Sequence, residues 1–191
     1  MNSVIGIDEV GRGAWAGPLL VVAVRNKGTI PSKINDSKLL SANKREALME
    51  GIIDNCAIGE GWVRVEEIDT LGLADAMRLG VTKALEGIGA RDDETIIMDG
   101  KVNYAPQCYF NVQTIIRADS SVPEVSAASV YAKVLRDNFM KDLSLRHPEY
   151  HFESNVGYGT KKHQKAIELH GITKWHRRSF KPIKNIELIQ Q

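Results

Sequence analysis

The chain carries the sequence IGIDEVGRGAWAG at residues 5–17, in which an apolar run ends in two acids and a glycine–arginine–glycine corner. Asp8 and Glu9 supply hard oxygen ligands of the kind that bind Mg²⁺ or Mn²⁺. The two glycines of the corner have no Cβ, so another backbone can approach them closely. Arg12 adds a donor fork that suits a phosphate or a carboxylate. The pattern favours metal-dependent phosphodiester chemistry, with two acids before an ordinary turn as the alternative.

A dinucleotide-binding loop is the main competing interpretation of these glycines. Such a loop needs a third glycine at the right spacing and a helix directly after it. Here the next glycine, Gly17, comes one position late, and Pro18 opens the β-rich run LLVVAV rather than a helix. The chain also lacks a phosphate loop of the GxxxxGK[ST] kind. The sequence therefore argues against both kinds of nucleotide-binding site.

Length and composition are those of one globular domain. The 191 residues are 43% hydrophobic and 26% charged, without an apolar stretch of membrane-helix length or a signal core. The two cysteines, Cys56 and Cys108, have neither zinc-ligand spacing nor the pattern of a disulfide framework. We expect a single catalytic domain over residues 1–191 that acts as a monomer in a reducing cytoplasm, with no membrane partner.

Charge is distributed unevenly along the chain. The formal net charge is only +1, yet residues 161–184 hold eight Lys or Arg against one acid, Glu168. That segment therefore carries +7, which leaves −6 for the rest of the chain. A basic C-terminal segment on an acidic body is expected of a protein that binds a polyanion and also gathers cations. A solvated basic tail is the alternative.

Hydrophobic periodicity predicts an α/β domain in which strands and helices interleave. The predicted strands cover 3–10, 19–25, 57–65, 95–98 and 109–116, and the predicted helices cover 41–56, 66–88, 123–146 and 162–170. Two strands follow one another at the N-terminus before the first helix. This order favours a mixed sheet over a purely parallel one.

Three of the predicted strands end in acids, namely Asp8 with Glu9, then Asp99, then Asp119. In an open α/β sheet, ligands gather beyond the carboxyl ends of the strands, so these acids can converge although they are distant in sequence. Each has an ordinary alternative, a turn for Asp99 and a helix cap for Asp119. Since consecutive strand residues face opposite sides of a sheet, we expect strand pairing to end at Glu9 and the chain to turn toward Gly11.

Four convergent carboxylates repel one another unless cations neutralise them or some of them bind a proton. Two divalent ions roughly 3.5–4 Å apart would neutralise them, activate a water and stabilise the leaving oxygen of an in-line displacement. Mg²⁺ keeps several waters and needs few protein ligands, so acids alone suffice. The histidines have no metal-ligand spacing and lie in polar contexts, where surface positions are expected; they are His147, His151, His163, His170 and His176.

Six blocks of the sequence together resemble ribonuclease HII, the bacterial type 2 ribonuclease H. They are DEVGRGAWAGP (8–18), NDSKLLS (35–41), IIMDG (96–100), ADSSVPEVSAASVYAKVLRD (118–137), GYGTKKH (157–163) and HRRSF (176–180). The blocks follow the family order and span about Val4 to Pro182. The resemblance implies a ribonuclease H-like α/β fold, with a mixed five-stranded sheet flanked by helices and a helical, basic C-terminal part at about 147–191.

The resemblance also implies an activity and a set of site residues. Family members cleave the RNA strand of RNA–DNA hybrids and nick 5′ of a lone ribonucleotide in duplex DNA, leaving 3′-hydroxyl and 5′-phosphate ends, with a role in ribonucleotide removal. They use Mg²⁺ or Mn²⁺, held here by Asp8, Glu9, Asp99 and Asp119. Asp8 and Asp99 would be the principal ligands, while Glu9 and Asp119 would complete the shells or orient water.

The substrate-binding residues that the resemblance implies lie outside the acid set. The corner Gly11, Arg12 and Gly13 would read the ribose 2′-hydroxyl, and Tyr158 would stack beside the sugar at the RNA–DNA junction. The residues expected to hold the duplex backbone without reading its sequence are Lys161, Lys162, His163, Arg177 and Arg178. The Ala14-Trp15 pair departs from the proline–leucine more usual in the family, which affects only the packing of that turn.

Several positions, and the function itself, have alternative interpretations. Lys38 either reaches a phosphate or is a solvated loop lysine. Ser126–Ser129 is expected to be a close-packing patch of a helix. Asp137 either forms a surface ion pair or lies near the metals. The alternatives to this activity are a non-catalytic nucleic-acid binding domain and a different metal nuclease such as a junction resolvase.

Overall fold

The structure, a computed structural model, describes residues 3–30 and 42–189. Its strands are β1 (Val4–Val10), β2 (Leu19–Asn26), β3 (Cys56–Val63), β4 (Thr95–Asp99) and β5 (Val112–Ile115). Its helices are α1 (Ala42–Asn55), α2 (Val65–Leu71), α3 (Leu73–Gly87), α4 (Pro123–Arg146), α5 (Phe152–Asn155), α6 (Lys161–His170) and α7 (Lys181–Ile189). Short 3-10 turns cover Ala118–Ser120 and Pro148–Tyr150.

The five strands form one sheet in the order β3-β2-β1-β4-β5. β1 runs antiparallel to β2 and parallel to β4, and β4 runs parallel to β5. This arrangement confirms the predicted mixed sheet. Because β1 and β4 are parallel neighbours, their carboxyl ends meet at one edge of the sheet, where Asp8, Glu9 and Asp99 lie.

Glycines of the strands allow helices to pack directly on the sheet. A Cβ at Gly6 of β1 would lie 2.3 Å from the backbone of Glu124 and Val125 at the start of α4. A Cβ at Gly61 of β3 would lie 1.9 Å from the carbonyl oxygen of Gly80 in α3. No side chain fits in either space, so these positions fix α4 on β1 and α3 on β3.

The chain divides into two compact units. The sheet unit comprises Met1–Val10, Leu20–Trp62 and Met77–Val134, and the helical unit comprises Gly11–Leu19, Val63–Ala76 and Leu135–Gln191. The core of the sheet unit is built on β2, whose first six residues, LLVVAV, are all buried. The core of the helical unit consists of apolar residues that include Met140, Leu143, Tyr150, Phe152 and Ile167.

Three sequence-based predictions differ from the structure. The predicted helix at 66–88 is two helices that break at Gly72, which has a φ of 77°. The predicted strand at 109–116 is only Val112–Ile115, so Asp119 lies in the 3-10 turn beyond it rather than at the end of a strand. Pairing was expected to end at Glu9, and this is wrong because the ladder with β2 continues to Val10. Lys38 lies outside the described residues.

Candidate active site

A cavity of about 380 Å³ opens in the sheet unit where β1 and β4 end. Its lining consists of Asp8, Glu9, Val10, Arg45, Asp99, Ser129, Val130 and Lys133. Three of the four acids singled out in the sequence therefore line one space, although Asp99 is separated from the other two by about 90 residues of chain. The parallel pairing of β1 with β4 explains this convergence.

Both acids of β1 line the cavity even though they belong to a paired strand. The ladder with β2 includes Asp8 and Glu9, but the pairing of β1 with β4 ends at Ile7 opposite Met98. Beyond that pair the edge of β1 that faces β4 is released from the sheet. The N–H of Glu9 donates to Oδ1 of Asp8 over 2.8 Å, which fixes that carboxylate against its own backbone. One edge of β1 stays regular while the other edge opens toward the cavity.

The charged form of the Asp8 side chain is disfavoured in this cavity. Burial raises the pKa of Asp8 from 3.8 to about 7, and the charges of Glu9 and Asp99 raise it as well. Hydrogen bonds from the Ser129 side chain and the Glu9 N–H act in the opposite direction. Asp8 is only 8% exposed. A carboxyl in this position binds either a proton or a cation at neutral pH.

Asp119 is held next to Asp99 through the backbone. The N–H of Ala118 donates to Oδ1 of Asp99 over 2.9 Å, and the Ser126 hydroxyl donates to the carbonyl oxygen of Asp119. Asp119 is 3% exposed and is not among the residues that line the cavity. The structure therefore brings Asp8, Glu9 and Asp99 together in one space and places Asp119 directly after a residue bonded to that group.

The donor set of the cavity fits a hard divalent cation. Carboxylate oxygens are the ligands that Mg²⁺ and Mn²⁺ prefer, and the raised pKa of Asp8 shows that added positive charge would relieve the site. Among the described residues, no three His, Cys, Asp or Glu side chains already stand together as a group that could hold an ion. Mg²⁺ binds through one or two carboxylates and retains waters, so the carboxylates that line this cavity suffice.

Sequence reasoning missed three polar residues of this cavity. Ser129 was assigned to packing, yet its side chain bonds Asp8, and Lys133 lies one helical turn further along α4. The spacing of four residues on one helix face was a usable signal for this pair. Arg45 comes from α1, and only the packing of that helix brings it here. These cations give the acid cavity groups that suit a phosphate.

The glycine corner lies in the helical unit, and its two glycines differ. Arg12 and Gly13 are exposed, and the nearest atom to a Cβ built on Gly13 is Cε1 of Tyr158, at 3.9 Å. Gly11 is buried, has a φ of 83°, and a Cβ there would lie 2.1 Å from Nε of Arg136. Gly11 is thus required by packing, whereas Gly13 leaves open surface beside the Tyr158 ring.

The residues expected to hold a duplex backbone fall into two groups. Lys161, Lys162 and Arg178 are exposed. His163 and Arg177 are both 0% exposed, which contradicts the prediction that they contact a duplex directly. Both side chains form their hydrogen bonds with other residues of the helical unit, which explains their burial. Asp137 is half-buried on α4.

A buried histidine pair also corrects the expectation of surface histidines. Nε2 of His163 lies 3.1 Å from Nε2 of His176, and Nδ1 of His163 lies 3.0 Å from the carbonyl oxygen of Tyr158. Nδ1 of His176 accepts from the N–H of Thr173 over 2.9 Å. Burial lowers the pKa of His176 to about 3 and also lowers that of His163. Both rings are neutral at physiological pH.

Comparison with known proteins identifies the family. The family model for ribonuclease HII matches residues 5–183. The chain is 42% identical over 184 residues to ribonuclease HII of Wolbachia sp. subsp. Brugia malayi (strain TRS), covering 95% of this chain and 89% of that protein. It is 40% identical over 193 residues to ribonuclease HII of Erythrobacter litoralis (strain HTCC2594), covering 98% and 91% respectively.

Solved structures share the fold at lower sequence identity. The ribonuclease HII in the PCNA:RNase HII complex from Archaeoglobus fulgidus is similar with a TM-score of 0.81 at 23% identity, over 96% of each chain. Ribonuclease H2 from Pyrococcus horikoshii OT3 gives 0.76 at 23% identity, over 98% of each chain. Bst-RNase HIII in complex with Mn²⁺ gives 0.72 at 20% identity, over 100% of this chain and 70% of that one.

These similarities confirm the ribonuclease H-like fold and its helical C-terminal part. Within residues 3–30 and 42–189, none of the helices combines the length and apolar character needed to cross a membrane. The family acts on RNA–DNA hybrids and depends on divalent metal, in agreement with the carboxylates found at the end of β1 and β4. A match over nearly the whole chain, with relatives of similar length, shows that this chain belongs to the ribonuclease HII family and is a hydrolase of the ribonuclease H type that cuts as an endonuclease.

Proposed function

We propose that this protein cleaves the RNA strand of RNA–DNA hybrids and nicks 5′ of a single ribonucleotide embedded in duplex DNA. The products would carry 3′-hydroxyl and 5′-phosphate ends, and the role would be removal of ribonucleotides from DNA. The observation that carries this proposal is the cavity at the ends of β1 and β4, lined by Asp8, Glu9 and Asp99. These three carboxylates line one cavity of a chain whose family acts on RNA–DNA hybrids.

The acids are the proposed metal ligands. Asp8 and Asp99 would hold Mg²⁺ or Mn²⁺, with Glu9 and Asp119 completing the shells or orienting water. When bound, two such ions supply activation of a water nucleophile and charge stabilisation for the leaving oxygen. The Mn²⁺ in the structure of Bst-RNase HIII supports this choice of ions.

The polar neighbours of the acids have their own proposed tasks. The Ser129 side chain bonds Asp8 and so fixes the direction of that carboxylate. Lys133 and Arg45 line the same cavity as the acids and are cations of the kind that bind the phosphate of a nucleic acid. Asp8 must lose its proton before it can ligate a cation, so affinity for the metal should rise with pH and level off above the pKa of about 7 that this carboxyl has without metal.

The helical unit supplies the proposed substrate contacts. The exposed Arg12 and Gly13, beside the ring of Tyr158, would contact the ribonucleotide, because the 2′-hydroxyl is the local feature that separates RNA from DNA. Lys161, Lys162 and Arg178 would hold the duplex by its phosphates, without reading bases.

Every proposed ligand and contact belongs to one chain, so we propose that a monomer suffices for cleavage. A solved relative forms a complex with PCNA.

Three labelled duplexes of identical sequence test the proposed function: all DNA, DNA with one ribonucleotide, and an RNA–DNA hybrid. With Mg²⁺ or Mn²⁺ we expect cleavage of the second and third only, and none when EDTA is present. Extension of the nicked strand by a DNA polymerase reports a 3′-hydroxyl end. Cleavage of the all-DNA duplex would favour a different metal nuclease. Chelator-insensitive binding without cleavage would favour a binding domain.

A further inference from the structure

Two arginines of the helical unit lie where arginine is rarely found. Arg136 of α4 and Arg177, which follows α6, are both 0% exposed. Such burial normally requires a paired carboxylate. Within the described residues, however, neither arginine forms an ion pair, and all of their guanidinium hydrogen bonds go to backbone carbonyls. Their function is therefore to bind the backbone rather than a charged side chain.

The carbonyls they bind belong mainly to one loop, residues 11–18, which contains the glycine corner. Nε and Nη2 of Arg177 donate to the carbonyl oxygen of Gly17 over 3.0 and 2.8 Å, and its Nη1 donates to the carbonyl oxygen of Arg12 over 3.0 Å. Nε and Nη2 of Arg136 donate to the carbonyl oxygens of Pro18 and Ala16 over 2.8 and 3.2 Å. We call these two side chains the arginine clamp.

The arginine clamp also holds the segment that carries Tyr158. Nη1 of Arg136 donates to the carbonyl oxygen of Val156 over 2.8 Å. The guanidinium carbon of the same side chain lies 5.9 Å from the centre of the Tyr158 ring, within reach of a cation–π interaction. One arginine thus binds both the corner loop and the segment of the tyrosine beside Gly13.

The direction of the Arg12 carbonyl sets the direction of the next N–H. In a trans peptide the C=O and the following N–H point in opposite directions. Because the Arg12 carbonyl is held inward by Arg177, the N–H of Gly13 points away from the arginine clamp, and Gly13 is exposed. No Cβ covers that face, so an oxygen of another molecule can approach the N–H.

The four N–H groups that follow Gly13 in this loop, those of residues 14–17, already have acceptors. Those of Trp15 and Ala16 donate to the carbonyl oxygen of Gly157, over 2.8 and 3.1 Å. The N–H of Gly17 donates to the carbonyl oxygen of Trp175, and the N–H of Ala14 donates to the carbonyl oxygen of Gly11. In contrast, the N–H of Gly13 has no acceptor among residues 3–30 and 42–189. The Gly13 N–H is therefore an outward donor next to N–H groups that are already bonded, which is the arrangement expected of a preformed site for an acceptor.

We propose that Arg136 and Arg177 are positioning residues that hold the carbonyls of the glycine corner inward and so aim the Gly13 N–H at an oxygen of the ribonucleotide substrate. This proposal rests on the proposed function. Two cations behind the loop also favour an oxygen with partial or full negative charge in front of it. Burial and the nearby Arg136 lower the pKa of Arg177, but its ordinary value is so high that it stays charged at neutral pH.

Arg177→Lys tests the proposal because lysine keeps the charge but lacks the planar fork that reaches two carbonyls. With the single-ribonucleotide duplex we expect kcat/KM to fall about tenfold or more, since small displacements of a positioning group are costly. The preference for a ribonucleotide over a deoxynucleotide in equilibrium binding with Ca²⁺ should fall in parallel. Arg136→Lys, which leaves Arg177 in place, should give the same phenotype independently.

Arg25→Lys is the control in the sheet unit. Arg25 of β2 also donates to two backbone carbonyls, those of Ile88 and Gly89 over 3.3 and 3.1 Å, and to Glu94 over 2.7 Å, and it is outside the cavity lining. The Arg25→Lys variant should be less stable than the wild type, with little change in kcat/KM. Normal kcat/KM and ribose preference in both clamp variants, measured below their melting temperatures, would overturn the proposal while leaving the proposed function intact. Wild-type protein that never cleaves at a ribonucleotide would instead overturn both.

Discussion

The acid cavity and the glycine corner handle buried charge in opposite ways. In the cavity, like charges crowd together and Asp8 has a pKa of about 7 because of its burial and the neighbouring acids. In the corner, Arg136 and Arg177 are more deeply buried, yet each guanidinium is satisfied by backbone carbonyls of the same unit. The cavity is therefore incomplete without a ligand, whereas the corner is complete before any substrate arrives.

Because of this difference, substitutions in the cavity should affect mainly activity, and substitutions in the corner should affect mainly stability. Hydrogen bonds from charged donors contribute about 1.5–3 kcal/mol each, so the arginine clamp stabilises the helical unit. Crowded carboxylates do the reverse, and removal of a charge from the cavity should spare or even stabilise the fold. Substitutions at the acids should therefore abolish cleavage without unfolding, while substitutions at the corner should affect folding except where the surface is open.

Asp99→Asn should give the largest loss of cleavage, about a thousandfold or more, because it removes a principal ligand of the proposed ions. Asparagine keeps an Oδ1 that can accept the 2.9 Å hydrogen bond from the N–H of Ala118. The variant should therefore fold and still bind the duplex. Single-turnover cleavage, thermal unfolding and fluorescence anisotropy measure the three properties.

Asp93→Asn provides the control for that experiment. Asp93 is an exposed acid, paired with Arg91 over 3.2 Å, and lies outside the cavity lining. It should cleave like the wild type. Retained turnover in Asp99→Asn would remove the proposed mechanism, because the second acid-bearing strand would then be dispensable.

Gly13→Ala should give the next largest effect, about a 10- to 100-fold loss of kcat/KM on the single-ribonucleotide duplex. Gly13 is not among the residues with positive φ, and a Cβ there meets nothing nearer than 3.9 Å. The protein should therefore unfold at the wild-type temperature. The added methyl group would cover the face that the substrate oxygen has to approach.

Gly11→Ala is the matched contrast at the same corner. Its φ of 83° and the 2.1 Å approach of Nε of Arg136 leave no room for a Cβ. We expect a loss of stability of at least about 1–3 kcal/mol from backbone strain alone. Equal thermal unfolding of the two alanine variants would show that the distinction between the glycines is wrong.

The ends of helices and strands are the part of the fold and the site that the sequence could predict. The bounds of α4 are as predicted, because Pro123 can open a helix and Pro148 prevents its continuation. The acids at the ends of β1 and β4 were also visible as carboxylates after apolar runs. Such signals are local, since a few adjacent residues determine where a strand or a helix ends.

The orientation and burial of other side chains depended on tertiary packing, which no local sequence pattern encodes. The block HRRSF indicates that Arg177 matters, but the sequence does not show whether the side chain faces a substrate or the back of a loop. His163 is likewise buried through its contact with His176, which is 13 residues away. Arg45 reaches the cavity only because α1 packs beside it. Motifs identify residues under constraint, and only the tertiary structure separates contact from support.

Asp8→Asn removes the other proposed principal ligand and should also abolish cleavage, so its distinctive result is a smaller one, a pH-dependent change in stability. The pKa of Asp8 is raised from 3.8 to about 7 in the folded state, so wild-type stability should fall as pH rises through that window. In EDTA the variant should be more stable than wild type by about 1 kcal/mol or more at pH 8, with the difference vanishing near pH 4. Thermal unfolding across pH measures this. A difference that is independent of pH would show that the pKa of Asp8 is not raised in the folded protein.

Lys161→Ala and Lys162→Ala should have the smallest effects. Each should raise the stability of the protein and weaken its binding to a duplex. Both lysines are exposed in the first turn of α6, where positive charge opposes the helix dipole, so each substitution should stabilise the protein by about 0.3–1 kcal/mol. Each should also weaken duplex binding equally with and without a ribonucleotide, and reduce the salt dependence of log Kd by about one unit. Lys141→Ala, an exposed lysine of α4, is the control and should leave binding unchanged. A loss of affinity confined to ribonucleotide-containing duplexes would show that these lysines recognise the ribose, as proposed for Gly13, rather than the phosphate backbone.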